Sequence, residues 1–247
     1  GLTCNSNIKK LINISNEFEC SNIGINNASQ LSNYPDLKNF NIYFGLDEFS
    51  KLMNDRIDIV IFAIAGSSPL NLLMNIASSG KIIGLANKEC IICLGKTLLD
   101  KARVSSTKIV PLDSEHNAIF QLMKNKNRDS IRKYTITASG GSFYNLDKSE
   151  MKNITPDQAI YHPKWKMGKK ITVDSSTLMN KGLEIIEACI LFDLDPKCID
   201  ALIHPESIIH GIIEFKDRSS HAFLSQPNME ISISSVLFDN NSIELQD

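Results

Sequence analysis

The sequence predicts an α/β fold: a doubly wound, mostly parallel sheet over the first hundred-odd residues, then an α+β domain. Two observations carry the prediction. Short apolar runs alternate with helical patterns in a βαβα rhythm. One of those runs, "IDIVIFAIAG" (57–66), is almost continuously apolar and ends in glycine, as a strand buried on both faces does. The chain has 247 residues, 43% hydrophobic and 22% charged, enough for a full core.

The opening "GLT" reads as the tail of a strand. "ECSNIGIN" (19–26) and "NIYFG" (41–45) are strand candidates, the second followed by a helix over "LDEFSKLMN". After "IDIVIFAIAG" comes the helix "SSPLNLLMNIASSG", with Ser67 or Ser68 to cap it, Pro69 in its first turn and Gly80 as its stop. The strand "KIIGLAN", the helix "KECIICLGKTLLDKARV" and the strand "KIVPLD" complete the first domain, 1–108. The second, 109–247, holds a strand "KYTITASGG" (133–141) and a short helix "TPDQAIYHP" with Thr155 as cap and Pro156 at its first position. "ITVDSSTLMNKGLEIIEACILF" reads as a strand turning into a helix. "DALIHPES", "IIHGIIEF", "SHAFLSQP" and "EISISSVLF" read as further strands. The basic stretch "KNKNRDSIRK" (124–133) reads as a solvated loop, since no aromatics interleave to stack on bases.

The net charge of -2 gives no strong field toward nucleic acid or a membrane surface. No apolar run reaches the roughly 18 residues of a spanning helix. Six sparse cysteines in apolar contexts read as reduced thiols in a cytosol-like compartment.

Ligands in such sheets bind beyond the carboxyl ends of the strands. Two of those ends are chemically loaded, "LANKE" (85–89) and "PLDSEH" (111–116). Asp113 and Glu115 sit two residues apart at a strand end, so both project to one side and repel unless a cation lies between them. A helix N-cap is the plainer reading: Asp113 or Ser114 caps, and Glu115 suits the first turn. Caps are far commoner than metal sites, so this segment alone does not decide for an ion.

In "VDSSTLMNKGLE", Asn180, Lys181 and Glu184 fall on one side of a helix, with Leu183, Ile186 and Ile190 on the apolar side. Ser175 or Ser176 at that helix's start would favour a phosphate, and Lys181 adds a point charge. The bland alternative is a capped amphipathic helix with a solvated Lys–Glu pair. "ASGGSF" (138–143) offers Ser139 and a glycine pair for close approach, or an ordinary turn. "YHPKWKMGKK" (161–170) places the lone tryptophan among lysines, as a loop does. Cys90 and Cys93 have redox spacing without redox surroundings, and His204, Glu206 and His210 lack zinc-site spacing.

Taken in order, "LANKE", "PLDSEHNAIFQ", "ASGG", "HPKWKMGKKITVDSSTLMNKGLE" and "LIHPESIIH" resemble the 1-deoxy-D-xylulose 5-phosphate reductoisomerase family, over nearly the whole chain. The resemblance implies an enzyme that rearranges a phosphosugar with Mg²⁺ or Mn²⁺ and reduces the product with NADPH. It implies that the first sheet is of the dinucleotide-binding type. Asp113, Glu115 and Glu184 are then metal ligands. Lys88, Ser114, Glu115, Ser139, His162, Ser175, Asn180, Lys181 and Glu184 contact substrate, and Lys88 is counted with the catalytic carboxylates. Asn87, Glu89 and Gly168 contact cofactor. His162, Trp165 and Met167 belong to a lid. The resemblance also implies a homodimer in the complete enzyme, a cytoplasmic setting or, behind a removed transit peptide, a plastid-like organelle.

The match has departures. The family's G-x-T-G-x-x-G loop is not found, so the dinucleotide sheet is expected to be incomplete, and the C-terminal helical domain to be missing. "NSN" (Asn5, Ser6, Asn7) stands where G-K-N is usual on the adenosine side. Ser142 replaces a proline, and "QPNMEIS" departs from P-D-M-R. A fragment with weak NADPH binding is the expectation. The competing readings are a noncatalytic phosphosugar- or nucleotide-binding module, and a metal-dependent aldolase or isomerase without redox chemistry.

Overall fold

The computed structural model describes residues 1–27, 29, 31–53, 57–147, 149–161 and 168–238. Three sheets organise them. The first is parallel, with β1 (Leu2–Cys4), β2 (Asn22–Ile25) and β3 (Asn41–Phe44) in sequential order. Helix α1 (Ile8–Glu17) crosses from β1 to β2. Ile8, Leu11, Ile12 and Ser15 repeat at helical spacing and are its buried face, packed on Ile23 and Ile25. Asn7 caps it, accepting from the Lys10 N–H at 3.2 Å.

The second sheet is also parallel: β4 (Ile59–Phe62), β5 (Ile82–Leu85) and β6 (Lys108–Pro111). Its crossovers are α2 (Leu70–Ile76), then α3 (Lys88–Leu94) and α4 (Lys96–Val104). The core is Leu72, Leu73, Ile76, Ile83, Leu85, Ile91 and Leu98. The βαβ rhythm is thus present, but its strands hydrogen-bond as two three-stranded ladders. The apolar run 57–66 yields a four-residue strand with Ile61 exposed, because β4 is an edge of its ladder rather than its centre.

The third sheet is mixed, in the order β10 (Ser220–Leu224), β9 (Ile209–Phe215), β7 (Ile131–Ala138), β8 (Ile199–Ile203). Only β7 and β8 run parallel. Helix α5 (Ser114–Met123), entered directly from β6, packs on β9, β10 and β7. Ile119, Ile136, Ala188, Phe192 and Ile213 fill the space between this sheet, α5 and α8 (Met179–Phe192). Because α5 begins at the end of the second sheet and rests on the third, the two layers meet at residue 113.

Several local readings of the sequence are corrected. Residues 46–52 are a 3₁₀ run rather than an α-helix. Neither Ser67 nor Ser68 caps α2; Pro69 holds that position without a side-chain bond. The single helix expected over 88–104 breaks at Gly95, whose φ of +54° only glycine adopts cheaply. The β-branched run "ITV" is not a strand but part of α7 (Lys169–Ser176). Thr172 and Ser176, four apart, are buried, and the Thr172 hydroxyl bonds back to the Gly168 carbonyl. Packing on α8 overrides strand propensity there. "EISISSVL" lies in α9 (Met229–Leu237): Asn228 caps it through the Glu230 N–H, and Ser232 and Val236 form its buried face. The helix "TPDQA" stands as expected, α6 (Pro156–Ala159), with Thr155 and Gln158 forming a capping box.

One close approach ties the segments together. Gly141, at φ +75°, follows β7 where a Cβ would lie 2.3 Å from the Ser175 carbonyl oxygen. Gly141→Ala therefore meets both a disfavoured backbone region and a backbone clash. It is expected to cost at least about 1–3 kcal/mol, read by urea unfolding.

Candidate metal and phosphosugar site

The C-terminal ends of β5, β6 and β7 open on one cleft of about 280 Å³. Lys88, the first residue of α3, enters it from the second sheet, and Asp113, Ser114 and Glu115 enter from the β6–α5 turn. Ser139 comes from the loop after β7, Ser175 from the last turn of α7, and Asn180, Lys181 and Glu184 from the first half of α8.

Asp113 occupies the N-cap position of α5 but makes no side-chain capping bond. Its carboxylate turns to Lys88 Nζ at 3.2 Å instead. The cap reading accounts for where the residue lies, not for what its side chain does. One oxygen from each of Asp113, Glu115 and Glu184 lies within 4.8 Å of the others. Three hard anionic oxygens at this spacing, from two elements distant in sequence, suit a divalent cation such as Mg²⁺ or Mn²⁺. The Asp113 Oδ1 atom is buried without a hydrogen-bond partner and faces the His116 ring, so what fits a cation is the donor set itself, three carboxylates that converge.

Two ammonium groups balance the carboxylates. Lys88 Nζ reaches Glu184 Oε1 at 2.9 Å and Asn180 Oδ1 at 2.7 Å, besides Asp113. Lys181 Nζ reaches Glu115 Oε1 at 2.7 Å and pairs with Glu184 Oε2. Lys88, Lys181 and Glu184 are each at least nine-tenths buried. Burial works against both ammoniums, yet the facing carboxylates raise their pKa values above the ordinary lysine value. Burial, opposed by Lys181 and reinforced by Glu184 and Asp113, pushes Glu115 up to about 7. Burial also opposes the Asp113 charge, but Lys88 and His116 hold its carboxyl well below the usual range. Ser114 Oγ donates to Glu115 Oε2 at 2.6 Å.

Behind the trio lies a second buried layer that the sequence reading did not assign. His116 is fully buried on α5. Its Nε2 lies 2.8 Å from the Glu184 carbonyl oxygen and must donate to it. Its Nδ1 faces Asp113 Oδ1 and Glu187 Oε2, each at 3.6 Å. A lone pair there would be repelled by both, so a proton on Nδ1 is the consistent state. Burial opposes that charge, but Glu187 and Asp113 push the imidazole up to about 10. His116 thereby steadies the back of Asp113. Glu187 had a legible signal: it lies one helical turn from Glu184. The side of α8 expected to be apolar is the looser one, with Leu183 half-buried and Ile186 exposed, while Lys181, Glu184 and Glu187 are buried. His210 and Ser207 also line the cleft, although the His204–His210 segment had read only as strand.

The remaining expected residues have settings of their own. Ser175 and Ser176 end α7 rather than begin a helix, so no free N–H groups of a first turn belong to them. Asn87 is buried and fully engaged: it donates to the Ile64 and Gly66 carbonyls and accepts from the Cys90 N–H at 2.6 Å. It fastens the ends of β4 and β5. Glu89 pairs with Lys170 at 3.1 Å, and Gly168 is the N-cap of α7; neither lines the cleft. Asn5, Ser6 and Asn7 are exposed around the β1–α1 turn, where Asn5 accepts from the Asn26 side chain at 2.8 Å. His162, Trp165 and Met167 fall outside the described residues.

Comparison with known proteins supplies the family. The model of 1-deoxy-D-xylulose 5-phosphate reductoisomerase matches residues 1–95, and that of the same enzyme's C-terminal domain matches 109–192. The chain belongs to the 1-deoxy-D-xylulose 5-phosphate reductoisomerase family. Reductoisomerases from a Sulfurihydrogenibium species and from the Wolbachia of Culex pipiens are each 46% identical to it, over 93% and 83% of the chain. The chain spans 59% and 54% of their lengths. Among solved structures, a reductoisomerase crystallised with NADPH, fosmidomycin and magnesium superposes with a TM-score of 0.88 at 36% identity, over 98% of this chain and 63% of that one. The Zymomonas mobilis enzyme in complex with NADPH gives 0.87 at 35%, over 98% and 64%. The α/β fold class of the reductoisomerases is thus that of this chain.

Because His116 is the only cation that pairs with Glu187 among the described residues, His116→Ala leaves that buried carboxylate without a cationic partner and Asp113 with Lys88 alone. It is expected to cost about 3–5 kcal/mol in urea unfolding, several times the cost of an ordinary surface substitution.

Proposed function

We propose that this chain is the cofactor- and metal-binding portion of an enzyme that converts 1-deoxy-D-xylulose 5-phosphate to 2-C-methyl-D-erythritol 4-phosphate with NADPH. The convergence of Asp113, Glu115 and Glu184 on one point beside Lys88, Lys181, Asn180, Ser139 and Ser175 carries the reading. The chain's kinship to reductoisomerases solved with NADPH and magnesium supports the choice of cofactors. The oxygen-only donor set suits Mg²⁺ and Mn²⁺ alike. We divide the chain into a cofactor-binding domain, 1–108, and a catalytic domain, 109–247.

Bound between the three carboxylates, the divalent ion would act as a Lewis acid on the substrate's ketone and neighbouring hydroxyl. The chain's own groups do the rest. Ser139, Ser175, Asn180 and Lys181 hold the phosphate at the far side of the cleft, so that binding energy is spent on orientation. Lys88, between the strand end of the cofactor domain and the carboxylates, supplies a proton donor at the reacting oxygens. Ser114 positions substrate beside Glu115. His116 and Glu187 keep Asp113 in place. His162, Trp165 and Met167 belong to a lid that would exclude water from the bound substrate. The working form is a homodimer. Leu202, Ile203 and Leu224, exposed on the outer strands of the mixed sheet, support an interface there.

Glu184→Gln preserves the shape and the Asn180 and Lys88 contacts but removes one ligand charge. Mn²⁺ binding by calorimetry is expected to weaken at least tenfold. In a full-length chain, phosphosugar-dependent loss of NADPH absorbance is expected to fall below detection with the circular dichroism spectrum unchanged. Wild-type turnover in the Gln variant refutes the ligand assignment.

A further inference from the structure

The positions of the two ammonium groups carry an inference that rests on the metal-cage reading and goes beyond it. Lys88 Nζ sits between Asp113 and Glu184, and Lys181 Nζ sits between Glu115 and Glu184. Every proposed ligand carboxylate is thus already held by a cation. The three hydrogens of Lys88 are matched by Asp113 Oδ2, Asn180 Oδ1 and Glu184 Oε1.

A divalent ion between the three carboxylates needs oxygens of these same groups at about 2.0–2.1 Å. An ammonium and a divalent ion cannot both sit between the same pair of carboxylates: the space is shared and the charges repel. Three carboxylates against two ammoniums leave this cluster one negative charge, with the lysines spent inside it. Adding a divalent ion makes the balance one positive. The lysines are then surplus cations at the edge of a cleft that also presents Ser139 and Ser175.

We infer that Lys88 and Lys181 are exchangeable counter-ions: they occupy the carboxylate cage until a divalent cation displaces them, and displacement turns them into the binding groups for an anionic phosphorylated substrate. Metal and phosphate ester then bind with positive coupling, each favouring the other by the same factor. The lysines also keep the cage folded when metal is scarce, since three unneutralised buried carboxylates would repel one another.

The test uses the 247-residue chain at pH 8, titrated calorimetrically with Mn²⁺ alone, as wild type, Lys88→Gln and Lys181→Gln. Each neutral variant is expected to bind Mn²⁺ at least tenfold more tightly than wild type, because one ammonium fewer has to leave. In EDTA each is expected to melt below wild type, and saturating Mn²⁺ is expected to close that gap. A lysine acting only as scaffold or substrate ligand would not tighten metal binding. Unchanged or weaker Mn²⁺ affinity in the variants, where wild-type binding is sensitive to Glu184→Gln, overturns the counter-ion role and leaves the cage standing. Wild-type binding that is absent, or indifferent to Glu184→Gln, overturns the cage and the inference with it. If Lys88→Gln does not fold, Lys181→Gln decides alone, since Lys181 spans a different pair of ligands.

Discussion

Burying like charges together is the constraint around which this structure is arranged. Asp113, Glu115, Glu184 and Glu187 lie in one neighbourhood, the last two almost wholly shielded from water. Desolvating a single carboxylate costs several kcal/mol unless partners compensate. Here the partners are Lys88, Lys181 and His116, and each comes from a different element: α3, α8 and α5. The cluster therefore exists only when the parallel sheet, the α5 turn and the α8 helix are all in place. Electrostatics makes the site a consequence of the whole fold rather than of any one motif.

The fold serves that cluster through its connections. The β6–α5 turn delivers Asp113 and Glu115 without an intervening loop, so their positions follow from the register of β6 with β5. Asn87 pins the mouth of β5 to that of β4, fixing where α3 starts and where Lys88 projects. On the far side, α8 is packed by α3 and α7. Its buried stripe is charged from Lys181 to Glu187, where an ordinary amphipathic helix would be apolar, and turns apolar only at Ala188 and Phe192. Such an inversion is destabilising in isolation and is tolerated where the opposing surface carries matching charge.

The parts legible in the sequence were those with local signals. The alternation of strands and crossovers, the loaded ends after Leu85 and Leu112, and the Asn180–Lys181–Glu184 spacing are all present in the fold. What could not be read depended on tertiary context. "ITV" and "EISIS" have strand composition, yet each lies in a helix because a buried pair four apart meets a neighbouring element. His116 lies three residues from Asp113, a local sign of that contact, but gives none of Glu187, which comes to it from another helix. Asn87 could be located at a strand end, but not seen to be consumed by two carbonyls from the preceding strand's end. Ser175 sits in the cleft, as proposed from its motif, though it arrives there on the closing turn of α7.

The contact between Gly141 and the Ser175 carbonyl has a mechanical consequence. With no room for a methyl group between them, the loop after β7 and the end of α7 touch backbone to backbone and cannot move closer. A swing of α7 toward that loop would therefore press on the wall that carries Ser139 as well as move the one that carries Ser175. Steric contact couples the two walls on closing and leaves them independent on opening.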